Sequence, residues 1–297
     1  MNKTLRYIIL FLGSACLFQG CSQSPHETEE ALENSTDMSA DRDEIDVIYG
    51  RLPEPGVIAS RLEATGTDFD WSFLKIGDYP RPESDTSQAI ISGMLTADVG
   101  YFILFDQADF ETPYYNELNM LSGEMCNIPR DELEQLNIAF SANQNRRDSL
   151  IQILNTIYSR TTHSLEQGNE GHLAILYTVS NLTENMFITA SLIDNYPKDL
   201  LAEDSRSIII IPLVRTLLEQ EPNLEDALLL LNRGMDENSF STTLKNELEY
   251  LNRNYDLLNI AESLRNRRAD LLMSDTTFQQ LRQKIGKIRN ILLEKAG

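Results

Sequence analysis

The chain has 297 residues and is strongly acidic, with 46 Asp and Glu residues against 25 Lys and Arg residues and a formal net charge of −21. A surface of this charge repels phosphate backbones and anionic headgroups, so the composition argues against nucleic-acid binding and against attachment to a membrane through basic residues. About 250 residues follow Val47, enough for one large domain or two modest ones.

The first 20 residues predict a signal peptide. Lys3 and Arg6 give a positive start, and the run from Tyr7 to Phe18 is almost entirely apolar or small. A helix that spans a bilayer needs about 20 apolar residues, so this run is too short to span and has the size of a signal-peptide core.

The residues that end this run, Leu17-Phe18-Gln19-Gly20-Cys21, resemble the lipobox of bacterial lipoproteins. In that family the cysteine receives a diacylglyceryl group and becomes the N-terminus after cleavage, and Gly20 fits the small residue required before the cut. The resemblance implies lipid attachment at Cys21 and a membrane anchor through acyl chains. Cys16 is the competing cysteine, but no apolar residue stands three positions before it. Because Ser22 follows the cysteine, and not the aspartate of an inner-membrane retention signal, we expect the outer membrane.

The segment from Ser22 to Asp46 is predicted to be an acidic, disordered tether. It holds nine acidic residues and one Arg, and almost no large apolar side chain. Such a segment cannot bury enough apolar surface to offset the entropy of ordering it. It resembles the acidic stretch that marks surface-exposed lipoproteins in some Gram-negative bacteria, so periplasmic and surface orientations both stay open.

Residues 47–297 are predicted to form an all-α domain, either an irregular multi-helix bundle or a stack of helical hairpins, with a possible subdivision near residue 197. The apolar spacing is helical almost throughout, and paired strand patterns with Asn-Gly or Asp-Gly turns are missing. Thr112 and Pro113 predict a helix start, since Ser or Thr caps and Pro at the first turn are typical there. One long helix is predicted from Ala142 to Gln167, and a central one from about Glu170 to Asn195.

The second half of the domain is predicted to be helical as well. The run "SRSIIIIPLV" has strand propensity but no visible partner strand, so we interpret it as a helix that contains Pro212. Apolar residues at steps of three and four predict a long helix from Thr242 to Met273. Asp275 is the predicted N-cap of the last helix.

The most unusual stretch is Gln88 to Gln107, which is apolar on all sides with Asp98 in its middle. A buried, unpaired carboxylate is unfavourable, so Asp98 is expected to find a partner. Asp98 either fixes the helix register or contacts a ligand in a pocket rimmed by tyrosines and a second acid. The stretch is also similar to one in uncharacterised helical envelope lipoproteins, a resemblance that implies no activity. The possible partners of Asp98 are Tyr101, Tyr114, Arg146, Arg147 and Arg160. The candidate pocket residues are Asp98, Tyr101, Asp106 and Tyr114, with Tyr115 beside them.

Signatures of catalysis, metal binding and cofactors are missing from the sequence. No HExxH motif, Walker loop, GxSxG or GxGxxG occurs, and the SxxK spelled by Ser72 to Lys75 lacks the motifs that accompany it in serine enzymes. The acidic run Asp41 to Asp46 does not fit a calcium loop, because the sixth and twelfth positions are not Gly and Glu. Cys126 is predicted to be a small buried hydrophobe. We therefore expect no metal and no cofactor.

The preferred interpretation is a lipid-anchored, helical cell-envelope protein that binds or scaffolds another component without catalysing a reaction. Its expected partners are the membrane, through the diacylglyceryl group on Cys21, and an envelope protein; no nucleic acid is expected. The alternatives are a small-ligand or peptide binder, and an enzyme whose carboxylate chemistry centres on Asp98.

Overall fold

The computed structural model describes residues 44–74, 79–126, 128–196 and 203–297, and within these ranges it contains helices and turns but no strand. The predicted all-α, multi-helix fold is confirmed. In chain order the helices are α1 (described over 44–49), α2 (Pro55–Glu63), α3 (Asp85–Leu104), α4 (Ala108–Cys126), α5 (Arg130–Ala142), α6 (Arg147–Gln167), α7 (Gly171–Asn195), α8 (Glu203–Leu218), α9 (Glu221–Gly234), α10 (Ser239–Asp256), α11 (Ala261–Arg265), α12 (Ala269–Ser274) and α13 (Thr276–Ala296).

The N-terminal boundary of the helical unit differs from the prediction by three residues. Residues 44–46, assigned to the tether, belong to α1, where Ile48 is buried and Glu44 forms an ion pair with Arg233 of α9. Residues 44–297 form one compact unit. The predicted signal peptide, the lipid-attachment residue Cys21, the tether up to residue 43 and the proposed subdivision at residue 197 lie outside the described residues.

Helices α3 and α7 pack against each other along their lengths and form the centre of the unit. α3 begins at the N-cap Ser84, whose hydroxyl accepts a hydrogen bond from the backbone N–H of Ser87, and nearly every residue after that is buried. Gly93 lets the two backbones approach closely. A Cβ at Gly93 would lie against the carbonyl oxygen of Tyr177 and 3.1 Å from the backbone nitrogen of Asn181. A side chain at this position would therefore push the central pair apart.

The other helices surround this pair. α2, α4, α6 and α13 pack on α3, while α6, α8, α9 and α13 pack on α7. α13 contacts both central helices, so its side chains reach the middle of the core. The buried part of α7 is unusually polar and holds eight Thr, Ser, Asn and Glu side chains. A polar core of this kind needs specific hydrogen-bond partners, which ties the helices to one arrangement.

α3 is long and apolar enough to cross a membrane, the one helix among the described residues of which this is true. Its apolar window is 94% buried inside the unit, as in the core helix of a soluble protein. The helix packs against protein on all sides, which explains why its apolar residues show no amphipathic stripe.

The predicted start of α4 at Thr112 is wrong. The backbone N–H groups of Phe110 and Glu111 already bond to the carbonyl of Gln107, so the helix begins at Ala108 and Pro113 lies in its second turn. The chain leaves α3 through Asp106, which has a φ of 53° and turns the backbone before α4 begins. That turn contains neither Gly nor Pro, so its sequence gives no clear signal.

Of two predicted long helices, one begins later than predicted and the other is broken in the structure. The predicted helix from Ala142 begins only at Arg147, after a turn in which the Arg146 N–H bonds to the Asn143 carbonyl at 2.7 Å. The predicted helix from Thr242 to Met273 is three helices, α10, α11 and α12, with Arg267 at a φ of 53° before the last of them. The apolar spacing continues across these breaks because the separate helices cover the same core.

Other boundaries follow the sequence pattern closely. α8 includes the isoleucine run and Pro212, so the predicted helix is confirmed there. Asp275 caps α13, and its Oδ1 accepts a hydrogen bond from the Phe278 N–H at 2.8 Å.

Candidate functional site

Asp98 lies on α3 in the centre of the unit, with no exposed surface. Its Oδ2 accepts a hydrogen bond from the hydroxyl of Tyr79 at 2.7 Å, and Tyr79 comes from the segment that leads into α3. Its Oδ1 is buried without a hydrogen-bond partner in the described part of the chain. The carboxyl group is therefore sealed in the core and held from one side.

A second buried acid lies beside this pair. Glu184 of α7 is completely buried and accepts two hydrogen bonds from Arg289 of α13, at 2.7 Å from Nε and 2.8 Å from Nη2. The guanidinium group also lies over the ring of Phe187, with Cζ 4.2 Å from the ring centroid. A two-point contact of this kind is the strongest geometry for an arginine and a carboxylate, and it joins α7 to α13.

Burial and charge together set the protonation of Asp98. Burial raises the pKa of Asp98 well above its ordinary value, and the negative charge of Glu184 raises it further, while the hydrogen bond from Tyr79 and the charge of Arg289 lower it. Burial and the neighbouring Asp98 also raise the pKa of Tyr79. With one cation for two carboxyl groups, the cluster is most stable when Glu184 is ionised and Asp98 keeps its proton.

Tyr101 and Asp106 lie away from this cluster. The hydroxyl of Tyr101 accepts a hydrogen bond from the backbone N–H of Asp70 at 3.0 Å and donates one to the Asp70 carbonyl at 3.1 Å, which fixes the loop before α3. Asp106 is exposed at the end of α3 and pairs with Nη2 of Arg147 at 2.7 Å. Both residues hold connections between helices.

Tyr114 is the remaining candidate residue, and it shares one neighbour, Tyr79, with Asp98. Its ring packs edge-on against Tyr79, with 6.3 Å between ring centroids, and against Phe102 at 5.0 Å. Tyr114 thus supports the residue that holds Asp98. The structure brings Asp98 and Tyr114 into one region of the core, whereas Tyr101 and Asp106 contact Asp70 and Arg147 elsewhere, so the four predicted residues do not form one site.

The partners of Asp98 differ from those expected from the sequence. Among the three arginines considered, Arg147 pairs with Glu63 and Asp106, and Arg160 pairs with Glu132. The residues that instead interact with Asp98 are Tyr79, Glu184 and Arg289. Glu184 could have been found, because it is a lone acid within the apolar run of a helix predicted to be central. Arg289 could not, because it is one of five basic residues on α13 and their spacing does not distinguish it.

Asp98→Asn is expected to change how stability depends on pH. Because the pKa of Asp98 is raised in the folded chain, the folded state keeps a proton that the unfolded chain loses above about pH 4. This group therefore stabilises the fold fully at low pH, and its contribution falls as pH rises toward the folded pKa. The free energy of unfolding of D98N, relative to the wild type, should rise with pH above about pH 4 by up to about 1.4 kcal/mol per unit, until the pH reaches the raised pKa of Asp98 in the folded chain.

Urea unfolding at several pH values measures this effect. Asp109→Asn is the matched control, and it should not reproduce the steep rise because its carboxyl group is exposed. Parallel pH profiles for D98N and the wild type would show that Asp98 is ionised in the folded protein.

A pocket of about 580 Å³ opens between α1 and α6. Burial and the nearby charge of Asp46 raise the pKa of Glu166 there to about 7. The one arginine in its wall, Arg160, is already paired with Glu132. The pocket is therefore suited to a cationic group, and it could not be predicted from the sequence because its residues come from separate helices. Its lining residues are Asp46, Tyr49, Gly50, Leu52, Glu54, Tyr158, Ser159, Arg160, Thr162, His163 and Glu166.

The histidines and the cysteine of the described residues do not form a reactive or metal-binding centre. No group of three His, Cys, Asp or Glu side chains within the described ranges is placed to hold a metal ion. His163 contacts Gln167, and His172 lies near Glu170. Burial raises the pKa of the Cys126 thiol to about 11, so it stays protonated at neutral pH.

The chain matches no protein-family model, no curated protein and no solved structure.

Proposed function

We propose that the protein is a lipid-anchored, helical component of a bacterial cell envelope that binds or scaffolds another envelope component and does not catalyse a reaction. The resemblance of Leu17 to Cys21 to a lipobox supports the anchor, with the outer membrane as its location and either the periplasm or the cell surface as the side. The acidic segment that follows is suited to a tether between the lipid and the helical unit.

The observation that carries the non-catalytic part is the closed state of the acidic cluster. A catalytic acid has to come within hydrogen-bond reach of a substrate, directly or through one water. Asp98 and Glu184 have no exposed surface, and their contacts to Tyr79 and Arg289 join the segment before α3 to α3 and join α7 to α13. Their arrangement fits a structural role, which leaves the surface of the unit for binding.

Cys21→Ala is expected to release the protein from the membrane fraction. Two or three acyl chains bind a bilayer almost permanently, whereas the acidic unit has no charge attraction to anionic lipid. Fractionation of cells followed by mass measurement of the N-terminal peptide tests this. If the variant still sediments with membranes and the wild type carries no acyl mass, the anchor is wrong.

The binding function is tested by crosslinking in intact cells with the natively lipidated protein, using C21A as the control. One recurrent envelope partner that is lost in the control supports a scaffold or adaptor. No partner under several growth conditions would favour the small-ligand alternative, for which the pocket between α1 and α6 is the first place to examine.

A further inference from the structure

A second cleft, of about 660 Å³, lies between α4 and α5. α5 covers the unit loosely, since Phe140 is its one fully buried residue. The volume is large enough for several side chains of a partner. Its lining residues are Asn116, Asn119, Met120, Gly123, Glu124, Ile128, Arg130, Leu133, Glu134 and Asn137.

Two apolar contacts hold α5 in place. The ring of Phe140 stacks on Tyr115 of α4, with 3.5 Å between ring centroids. Leu133 packs onto Gly123, where a Cβ would collide with the leucine side chain. Both contacts attach the inner side of α5 to α4, so the two walls of the cleft belong to one folded unit.

Asn119 provides a buried polar group in the wall of the cleft. It is 3% exposed, and its Nδ2 donates to Oδ1 of Asn137 at 2.7 Å and to the carbonyl of Leu133 at 3.3 Å. Its own Oδ1 is buried and has no hydrogen-bond partner in the described ranges. A buried acceptor without a donor is unfavourable, so a bound N–H group would satisfy it.

The surface around the cleft combines exposed apolar side chains with negative charge. Met120 lines the cleft and Ile138 follows the lining residue Asn137, and both are exposed. The cleft lining holds two acids, Glu124 and Glu134, and one arginine, Arg130, so its net charge is negative. Exposed apolar residues beside a net negative charge are typical of a surface that binds a basic partner.

We propose that this cleft docks a basic, amphipathic segment of a protein partner. Apolar side chains of the segment pack against Met120 and Leu133, an N–H group donates to Oδ1 of Asn119, and lysine or arginine side chains meet Glu124 and Glu134. The inference rests on the proposed binding function and names its surface and the chemistry of its partner.

The first experiment places a photo-crosslinking amino acid at position 120 of the full-length, lipidated protein in its native cells, and at position 257 as a control. Leu257 is similarly exposed, at 69% against 54% for Met120, and does not line the cleft. We expect a crosslink at position 120 that is absent at 257, to a partner peptide rich in Lys or Arg and Leu or Ile. Crosslinks of equal yield at both positions, to an acidic segment, or to a second copy of this chain would overturn the proposal.

The second experiment uses a defined probe with the purified full-length protein in detergent. The probe is a helical peptide of about 18 residues of Leu and Lys, with a Leu and Glu peptide as its counterpart. Fluorescence anisotropy should show binding of the Lys peptide, and M120S/I138S should weaken it about tenfold or more. The control I208S/L257S removes apolar residues of comparable exposure, 65% for Ile208, and should leave the affinity unchanged.

Charge is tested with matched reversals. E124K/E134K should abolish binding of the Lys peptide, whereas E249K/E262K, which changes exposed acids on α10 and α11 by the same charge, should have a small effect. If both double variants lost affinity for the Lys peptide equally, binding would depend only on net charge, and this result would contradict a docking site.

These experiments distinguish a failure of the proposed docking cleft from a failure of the proposed function. A partner crosslinked elsewhere on the unit would keep the binding function and reject the cleft. Release of wild-type protein from membranes would reject the anchor and leave the peptide result valid, since the probe needs no membrane.

Discussion

Replacing Arg289 with methionine is expected to lower the free energy of unfolding by about 3–5 kcal/mol, because it removes the cation from a buried ion pair. Glu184 would be left in the core with both oxygens unpaired, next to the carboxyl of Asp98. Urea unfolding of R289M near neutral pH, followed by circular dichroism, measures the loss.

Replacing an exposed lysine on the same helix should lower the free energy of unfolding much less. Lys287 lies on the same helix, is 57% exposed and shares Glu247 with Lys284, so K287M is expected to cost less than about 1 kcal/mol. Adding Glu184→Gln to R289M should recover part of the loss, since the uncompensated charge is then gone. Equal stability of R289M and K287M would mean that Glu184 is not a buried ion.

Gly93→Ala is expected to destabilise the fold by about 3 kcal/mol, at the upper end for overpacking, because the atoms it meets are backbone. The added Cβ would collide with the carbonyl oxygen of Tyr177 and lie 2.9 Å from Cβ of Ser180. α3 and α7 would have to separate along the centre of the core. Thermal and urea unfolding both report this change.

Gly286→Ala is the matched control for this substitution. Gly286 also lies inside a helix, but among the described residues a Cβ there would meet only the ring of Phe187, at 4.0 Å. The variant is expected to be stabilised by about 0.5–1 kcal/mol through helix propensity. If both alanine variants were stabilised, the close approach of α3 and α7 would be wrong.

The sequence predicted the class of fold and its central helices because these depend on local patterns. The apolar run of α3 and the span of α7, Gly171 to Asn195, follow from hydrophobic residues that are continuous along the chain. The exact start of α6 at Arg147 and the breaks on either side of α11 were not predicted. None of these connections contains a Gly or Pro that would mark a turn.

For the candidate site, too, the features that depend on residues close in the sequence could be predicted, and those that depend on distant residues could not. That Asp98 would be buried could be predicted, since its neighbours on every side of the helix are apolar. Its partners could not, because Tyr79 precedes the helix and Arg289 comes from the last one. The α4–α5 cleft was missed for the same reason, as its floor is made by the packing of two helices whose separate patterns are ordinary.

The buried aspartate of α3 has a further consequence for a chain that is exported, as proposed here. A secretion channel lets sufficiently apolar segments escape sideways into the lipid, and α3 has the length and hydropathy to do so. An aspartate near the middle of such a segment adds about 3 kcal/mol to the cost of insertion. In an exported chain, Asp98 would therefore help α3 pass through the channel and fold against its own partners on the far side.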